Sequence, residues 1–116
     1  MIDIILTQTQ VINNKANARQ DFTSYLNKNK GRYIVSVKNL YTGTNPSTCF
    51  DLITRITETV EKNTYDSIGG WMDPETTVYF LDANIHFDSL SLCIANAELY
   101  GELAIYDSLN DEVIML

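Results

Sequence analysis

Tyr65-Asp66-Ser67-Ile68-Gly69-Gly70-Trp71-Met72, then Asp73-Pro74-Glu75, then Thr76-Thr77-Val78-Tyr79-Phe80-Leu81-Asp82: two β-rich runs flank a short turn with proline at its second position. Proline there pre-sets the backbone angle of a reverse turn, so a hairpin is predicted, with strands over Tyr65 to Met72 and Thr76 to Asp82. Gly69 and Gly70 beside Trp71 predict either a bulge or a close backbone approach. Downstream, Asp88 is placed to cap a helix in which Leu90, Cys93 or Ile94, Ala97 and Tyr100 recur at helical spacing, and Gly101 sits where a left-handed residue would stop it. Leu103-Ala104-Ile105-Tyr106 reads as a strand, and Val113 to Leu116, beyond the polar break Ser108 to Asp111, as a short edge strand.

Upstream, Phe50, Ile53, Ile56 or Thr57, and Val60 line one face of a predicted helix ending near Lys62, with its start signalled by Asn45-Pro46 or by Thr48 and Asp51. Tyr33, Val35 and Val37 alternate with Ser36 and Lys38, predicting a strand from Arg32 to about Leu40, followed by a loop over Tyr41 to Asn45. Ile2 to Val11, rich in Ile, Thr and Val, reads as a first strand. Asn13 and Asn14 would then cap a short helix through Ala18, Phe22, Tyr25 and Leu26 to about Asn27. The order is β α β α β β α β with a terminal β. From Arg32 to Asp107 it runs β α β β α β, the ferredoxin-like split arrangement, here with an extra N-terminal β-α unit. The fold class is α+β, an antiparallel sheet with helices on one face.

At 116 residues the chain suits a single domain spanning 1–116, one able to bury roughly 65% of its extended surface. Its charge is segregated. From Asn63 onward there are ten acids (Asp66, Asp73, Glu75, Asp82, Asp88, Glu98, Glu102, Asp107, Asp111, Glu112) and no lysine or arginine, whereas residues 1–62 hold five acids against eight bases, leaving a net −7. Such a field acts on association with basic partners. Cys49 and Cys93 lack C-x-x-C spacing and read as small buried hydrophobes in a cytosolic protein. The start Met1 to Leu6 has no basic n-region, and no run approaches the apolar length of a membrane span, so a soluble protein is expected.

No catalytic constellation stands out. Asp82, His86 and Asp88 form D-x-x-x-H-x-D, but with one histidine and no thiolate pair the spacing argues for a loop histidine rather than a metal site. Serines and threonines have no second histidine or lysine at a recognisable spacing to act as base, so the chain reads as a non-enzyme without cofactor or metal. Tyr41 to Ser47 precedes a predicted helix start, where amide donors favour anions, yet it lacks the second glycine and lysine of a Walker loop. Trp71, Tyr79, Tyr100 and Tyr106 lie among acids, not bases. That argues against direct binding of nucleic acid and suits a protein interface, in which aromatics anchor and charges steer.

Gly69-Gly70-Trp71-Met72-Asp73, Tyr79-Phe80-Leu81-Asp82, Phe87, Glu98-Leu99-Tyr100-Gly101 and Glu102 to Asp107 together resemble the tail of small acidic accessory proteins encoded by phages and mobile elements, of the anti-CRISPR and anti-restriction inhibitor type. The resemblance covers under half of the chain. It implies a protein of the bacterial host cytoplasm that binds defence machinery rather than performing chemistry. The expected function is therefore inhibition of a basic host defence protein, a nuclease or its complex, by an acidic surface that stands in for DNA. The partner-binding candidates are Trp71, Asp73, Glu75, Asp82, Asp88, Glu98, Glu102 and Asp107, with Asp73, Glu75, Asp82 and Asp88 expected to form a row. Two other readings compete: a module sequestering a nucleotide through the 41–47 loop with Lys38 and Arg55, and a homodimer or larger homo-oligomer built through exposed sheet edges.

Overall fold

The computed structural model describes residues 2–62 and 64–116, which form an α+β fold: one six-stranded antiparallel sheet and three α-helices. In chain order these are α1 (Ile2–Asn17), β1 (Phe22–Tyr25), β2 (Tyr33–Gly43), α2 (Leu52–Lys62), β3 (Ser67–Met72), β4 (Tyr79–Phe87), α3 (Leu90–Leu99), β5 (Ala104–Asp107) and β6 (Glu112–Met115). The strands lie in the order β1-β3-β4-β2-β5-β6, every neighbour antiparallel.

The N-terminal order is helix then strand, which corrects the expected β-α unit. Ile5, Thr9, Ile12 and Ala16 step by four, three and four residues, so α1 turns one stripe onto the core although Ile and Thr favour strands. The helix stops at Arg19, in the left-handed region at φ 53°: the Arg19 N–H donates to the Ala16 carbonyl and the Gln20 N–H to that of Lys15, the paired bonds of a Schellman ending. The predicted helix through Phe22 and Leu26 is instead β1 and the turn after it. A four-residue interval is even as well as helical, so both side chains still reach the core from extended backbone.

The β3–β4 hairpin forms around Pro74, but its second strand starts at Tyr79 and runs on through His86, the expected loop histidine, to Phe87. Pairing from Ser67↔Asn84 to Met72↔Tyr79 is continuous, so the glycines make no bulge; the bulges lie in β2. Gly70 marks a close approach. A Cβ there would press on the Tyr79 hydroxyl and stand 2.5 and 2.8 Å from two Phe22 ring carbons. Tyr41, Thr42 and Gly43, expected as loop, complete β2.

α2 begins at Leu52 after a three-residue 3₁₀ turn, Pro46–Thr48, and buries Leu52, Ile56, Thr59 and Val60. Its face is rotated from the predicted one: Phe50 precedes the helix and is 95% exposed, and Ile53 faces solvent. Ser89, not Asp88, caps α3, accepting the Leu92 N–H at 3.3 Å, and Cys93 and Ala97 are the buried pair. Gly101 at φ 70° ends that helix as predicted.

All three helices lie on one face of the sheet. Along β4, Tyr79 and Leu81 pack with α1 and α2, and Ile85 and Phe87 with α3; these odd-numbered side chains share one side by strand alternation. Phe80, Asp82, Asn84 and His86 point the other way. Among the described residues no helix covers that side; only the segment around Asn29 and Gly31 folds over its His86 end. No described helix is long and apolar enough to cross a membrane.

Candidate binding groove on the open face

Strand alternation gathers on the uncovered face Tyr25 from β1, Trp71 from β3, Phe80 and Asp82 from β4, Ile34 and Ser36 from β2, and Tyr106 from β5. Between them runs a groove of about 730 Å³ whose acids are Asp21, Asp82 and Asp111 and whose aromatics include exposed Trp71 and half-buried Phe80 and Tyr106. No lysine or arginine lines it among the described residues. Trp71 is 51% exposed and stacks on Phe80, directly opposite in register, with centroids 5.6 Å apart and planes 27° apart. Gly69 faces Asp82 and contributes no side chain; a Cβ there would stand 2.9 Å from the Asn84 amide nitrogen.

Burial pushes the Asp82 carboxyl above the ordinary carboxylate range, and the hydrogen bond it accepts from Asn39 (3.0 Å) works against that shift. Glu102 is raised too, first by burial and then by the charge of Asp82, which ties it electrostatically to the groove. Tyr106 donates its hydroxyl proton to Asp111, and this bond, with burial, pushes the phenol up to about 12. Asp21 accepts the Met72 N–H at 3.0 Å.

Beneath the groove a hydrogen-bond chain has one direction. The Gly31 carbonyl can only accept, so His86 Nδ1, 3.1 Å away, carries the proton. The neutral ring then accepts at Nε2 from Ser67 Oγ at 2.7 Å, Ser67 accepts from Asn84 Nδ2 at 3.1 Å, and Asn84 Oδ1 accepts from Ser36 Oγ at 3.0 Å. Burial lowers the His86 pKa, opposed by its bond to Gly31 and by Asp66, whose carboxylate accepts the His86 N–H at 2.9 Å. Ser67 beside His86 is a nucleophile-and-base spacing that the linear sequence did not show. Both are buried, Ser67 at 0% and His86 at 3% exposure, so no substrate atom reaches that serine in this conformation.

Of the predicted partner-binding residues, the structure brings Trp71 and Asp82 together, with Glu102 coupled to them. Asp73 and Glu75 lie in the β3–β4 turn, where Asp73 accepts the Glu75 N–H at 3.0 Å. Asp88 is six residues beyond Asp82, about 20 Å along an extended chain, so it stands apart from the other three of the expected row. Glu98 is on α3, a helix of the covered face. Asp107 is corrected from interface to interior. At 2% exposure it accepts from Arg32 Nε and an outer guanidinium nitrogen, both at 2.8 Å, and that hydrogen bond holds its carboxyl down at about 2. Asp82 and His86, four residues apart on one strand, stand about 13 Å apart, and no three metal-ligating side chains converge among the described residues. The proposed anion loop has Tyr41–Gly43 in β2, and Arg55 is engaged by the Leu40 carbonyl (2.9 Å) and by Asp51 (3.1 Å).

Reading the chain did not single out Phe80, Ser36, Asn84, Asp21 or the Ser67–His86 pair as site residues. The signal for the β4 members was present: Tyr79 to Phe87 alternates apolar residues at odd positions with Phe80, Asp82, Asn84 and His86 at even ones, well past Asp82. Comparison of this chain with protein-family models, with curated proteins and with solved structures finds no match.

Proposed function

We propose that the protein is a non-enzymatic inhibitor of phage or mobile-element origin, acting in the bacterial cytoplasm, whose open sheet face docks the basic, nucleic-acid-binding surface of a host defence protein. The observation that carries this reading is the groove itself, which combines three carboxylates with exposed Trp71 and half-buried Phe80 and is lined by no base among the described residues. Aromatic anchors within a ring of like charge suit a partner of opposite charge, which the field also steers toward the site. The order β2-α2-β3-β4-α3-β5 with strand sequence β3-β4-β2-β5 supports a ferredoxin-like centre, flanked by β1 and β6, whose uncovered face is free for a partner.

A competition assay tests the reading. Labelled duplex DNA is loaded on a basic peptide of mixed lysine and arginine, and the protein is titrated in. Release of the DNA, weakening steeply as salt rises to about 0.15 M, is expected, because screening then acts over about 8 Å. Asp82→Asn with Asp111→Asn retains the hydrogen-bonding shapes but removes two charges, and should raise the concentration needed by at least about tenfold, about 1.4 kcal/mol. Glu58→Gln with Glu61→Gln, on α2 of the covered face, should change it little. Equal effects from the two pairs, or DNA that stays on the peptide, would refute docking at the groove.

A further inference from the structure

Resting on the reading of the groove as a site for a basic partner, we infer that its centre selects arginine over lysine: a guanidinium of the partner lies on the exposed Trp71 ring and directs its N–H groups to the Asp82 carboxylate. Register makes Trp71 and Asp82 diagonal neighbours on β3 and β4, a separation that long side chains span, and both line the groove. The far face of the indole is braced by its stack on Phe80.

The hydrogen-bond directions identify the ligand chemistry. Because Gly31 forces the His86 proton onto Nδ1, each donor down the chain is fixed, and Ser36 spends its hydroxyl proton on Asn84. Tyr106 likewise spends its own on Asp111. Ser36 and Tyr106 therefore meet a ligand as lone pairs, as do the carboxylates of Asp21, Asp82 and Asp111, so acceptors outnumber the lining's side-chain donors, Thr23, Trp71 and Asn84. A ligand matched to this lining is rich in N–H donors and cationic. Guanidinium satisfies both terms: it offers five donors in a planar fork, stacks on aromatic faces and is weakly hydrated, whereas ammonium is a compact, strongly hydrated point charge. The partial burial that raises the Asp82 pKa also favours the more easily dehydrated cation.

Asn39 limits the geometry usefully. It holds one Asp82 oxygen at 3.0 Å, which orients the carboxylate and leaves the second oxygen for the guanidinium. Asp82→Asn can keep the Asn39 contact through its amide oxygen, so the substitution tests charge without unmaking the fold.

Two synthetic peptides of equal length and charge are the probes, one with arginine and one with lysine as its only base, titrated by calorimetry and by fluorescence of Trp71, the one tryptophan in the chain. The arginine peptide should bind at least about tenfold tighter. Asp82→Asn should bring the ratio close to one while both peptides retain weaker, salt-sensitive binding, and Trp71→Leu, read by calorimetry, should reduce the ratio similarly. Equal affinities for the two peptides in the unaltered protein would overturn arginine selection while leaving the basic-partner reading standing. Failure of both peptides to bind would remove both ideas, and free arginine binding as tightly as the arginine peptide would overturn the polypeptide as occupant.

Discussion

Protonating His86 should unfold the protein progressively, and the structure supplies both the sign and the ceiling. His86 is 3% exposed, 3.1 Å from the Gly31 carbonyl, 2.7 Å from Ser67 Oγ and 5.4 Å, centroid to centroid, from the Tyr25 ring. A second proton on Nε2 would point at the Ser67 hydroxyl, which must then turn its own proton off the ring and lose the acceptor it has in the folded state, while still accepting from Asn84. Asp66 is the nearby charge that favours protonation, but burial is the larger effect and leaves the folded pKa below its ordinary value. Between the unfolded value near 6.5 and that lowered folded value, the unfolded chain binds a proton that the folded chain does not. Stability therefore falls as pH falls, by at most about 1.4 kcal/mol per pH unit. Asp82 and Glu102 act in the opposite sense, since their folded pKa values are raised and the folded state takes up their protons first. The assay is urea unfolding followed by Trp71 fluorescence at about pH 7.5 and about pH 5.5, in the unaltered protein and in His86→Gln. The variant should start less stable and lose less on acidification. Equal losses in the two proteins would refute a buried neutral His86.

Gly70→Ala should destabilise by about 1–3 kcal/mol through overpacking against the Tyr79 hydroxyl and the Phe22 ring. Tyr79→Phe should cost about 1 kcal/mol for the bond it donates to the Gln20 carbonyl at 2.8 Å, and the double variant less than the sum of the two, since one clashing atom is gone; strict additivity in urea unfolding would contradict the packing. Cys93, fully buried with burial pushing its thiol up to about 11, should label with a thiol reagent only on unfolding, and half-buried Cys49, which donates to Asp51 at 3.1 Å and whose pKa burial raises, should react slowly. Rapid native labelling of Cys93 would show that α3 does not pack as described.

Much of the sheet was legible because its signals are local. Pro74 between two β-rich runs, the alternation in Tyr33 to Val37, the helical spacing of Cys93 and Ala97 and the stop at Gly101 each act within a few residues, and each element formed. The first 27 residues were misread because Ile, Thr and Val in Ile2 to Val11 favour strand intrinsically, while the side chains that reach the core, Ile5, Thr9, Ile12 and Ala16, follow a helical period that burial alone makes decisive. The same holds for α2. The predicted face Phe50, Ile53, Ile56 or Thr57, and Val60 and the observed set Leu52, Ile56, Thr59 and Val60 share Ile56 and Val60, and contact with α1 and the sheet decides the rest.

For the candidate site, the sequence alone determined the inventory: the acids crowded after Asn63, the absence of bases among them, and Trp71 with its neighbouring glycines in a hairpin. Only the tertiary structure decided which of those groups meet. Arg32 claims Asp107 across 75 positions and removes it from the surface, Ser67 reaches His86 across 19, and Asp21 joins the groove through a bond to Met72 across 51. Local propensity carries no information over such separations. Strand pairing brings these residues together, and the alternation of side chains across the sheet then assigns each to the core or to the open face.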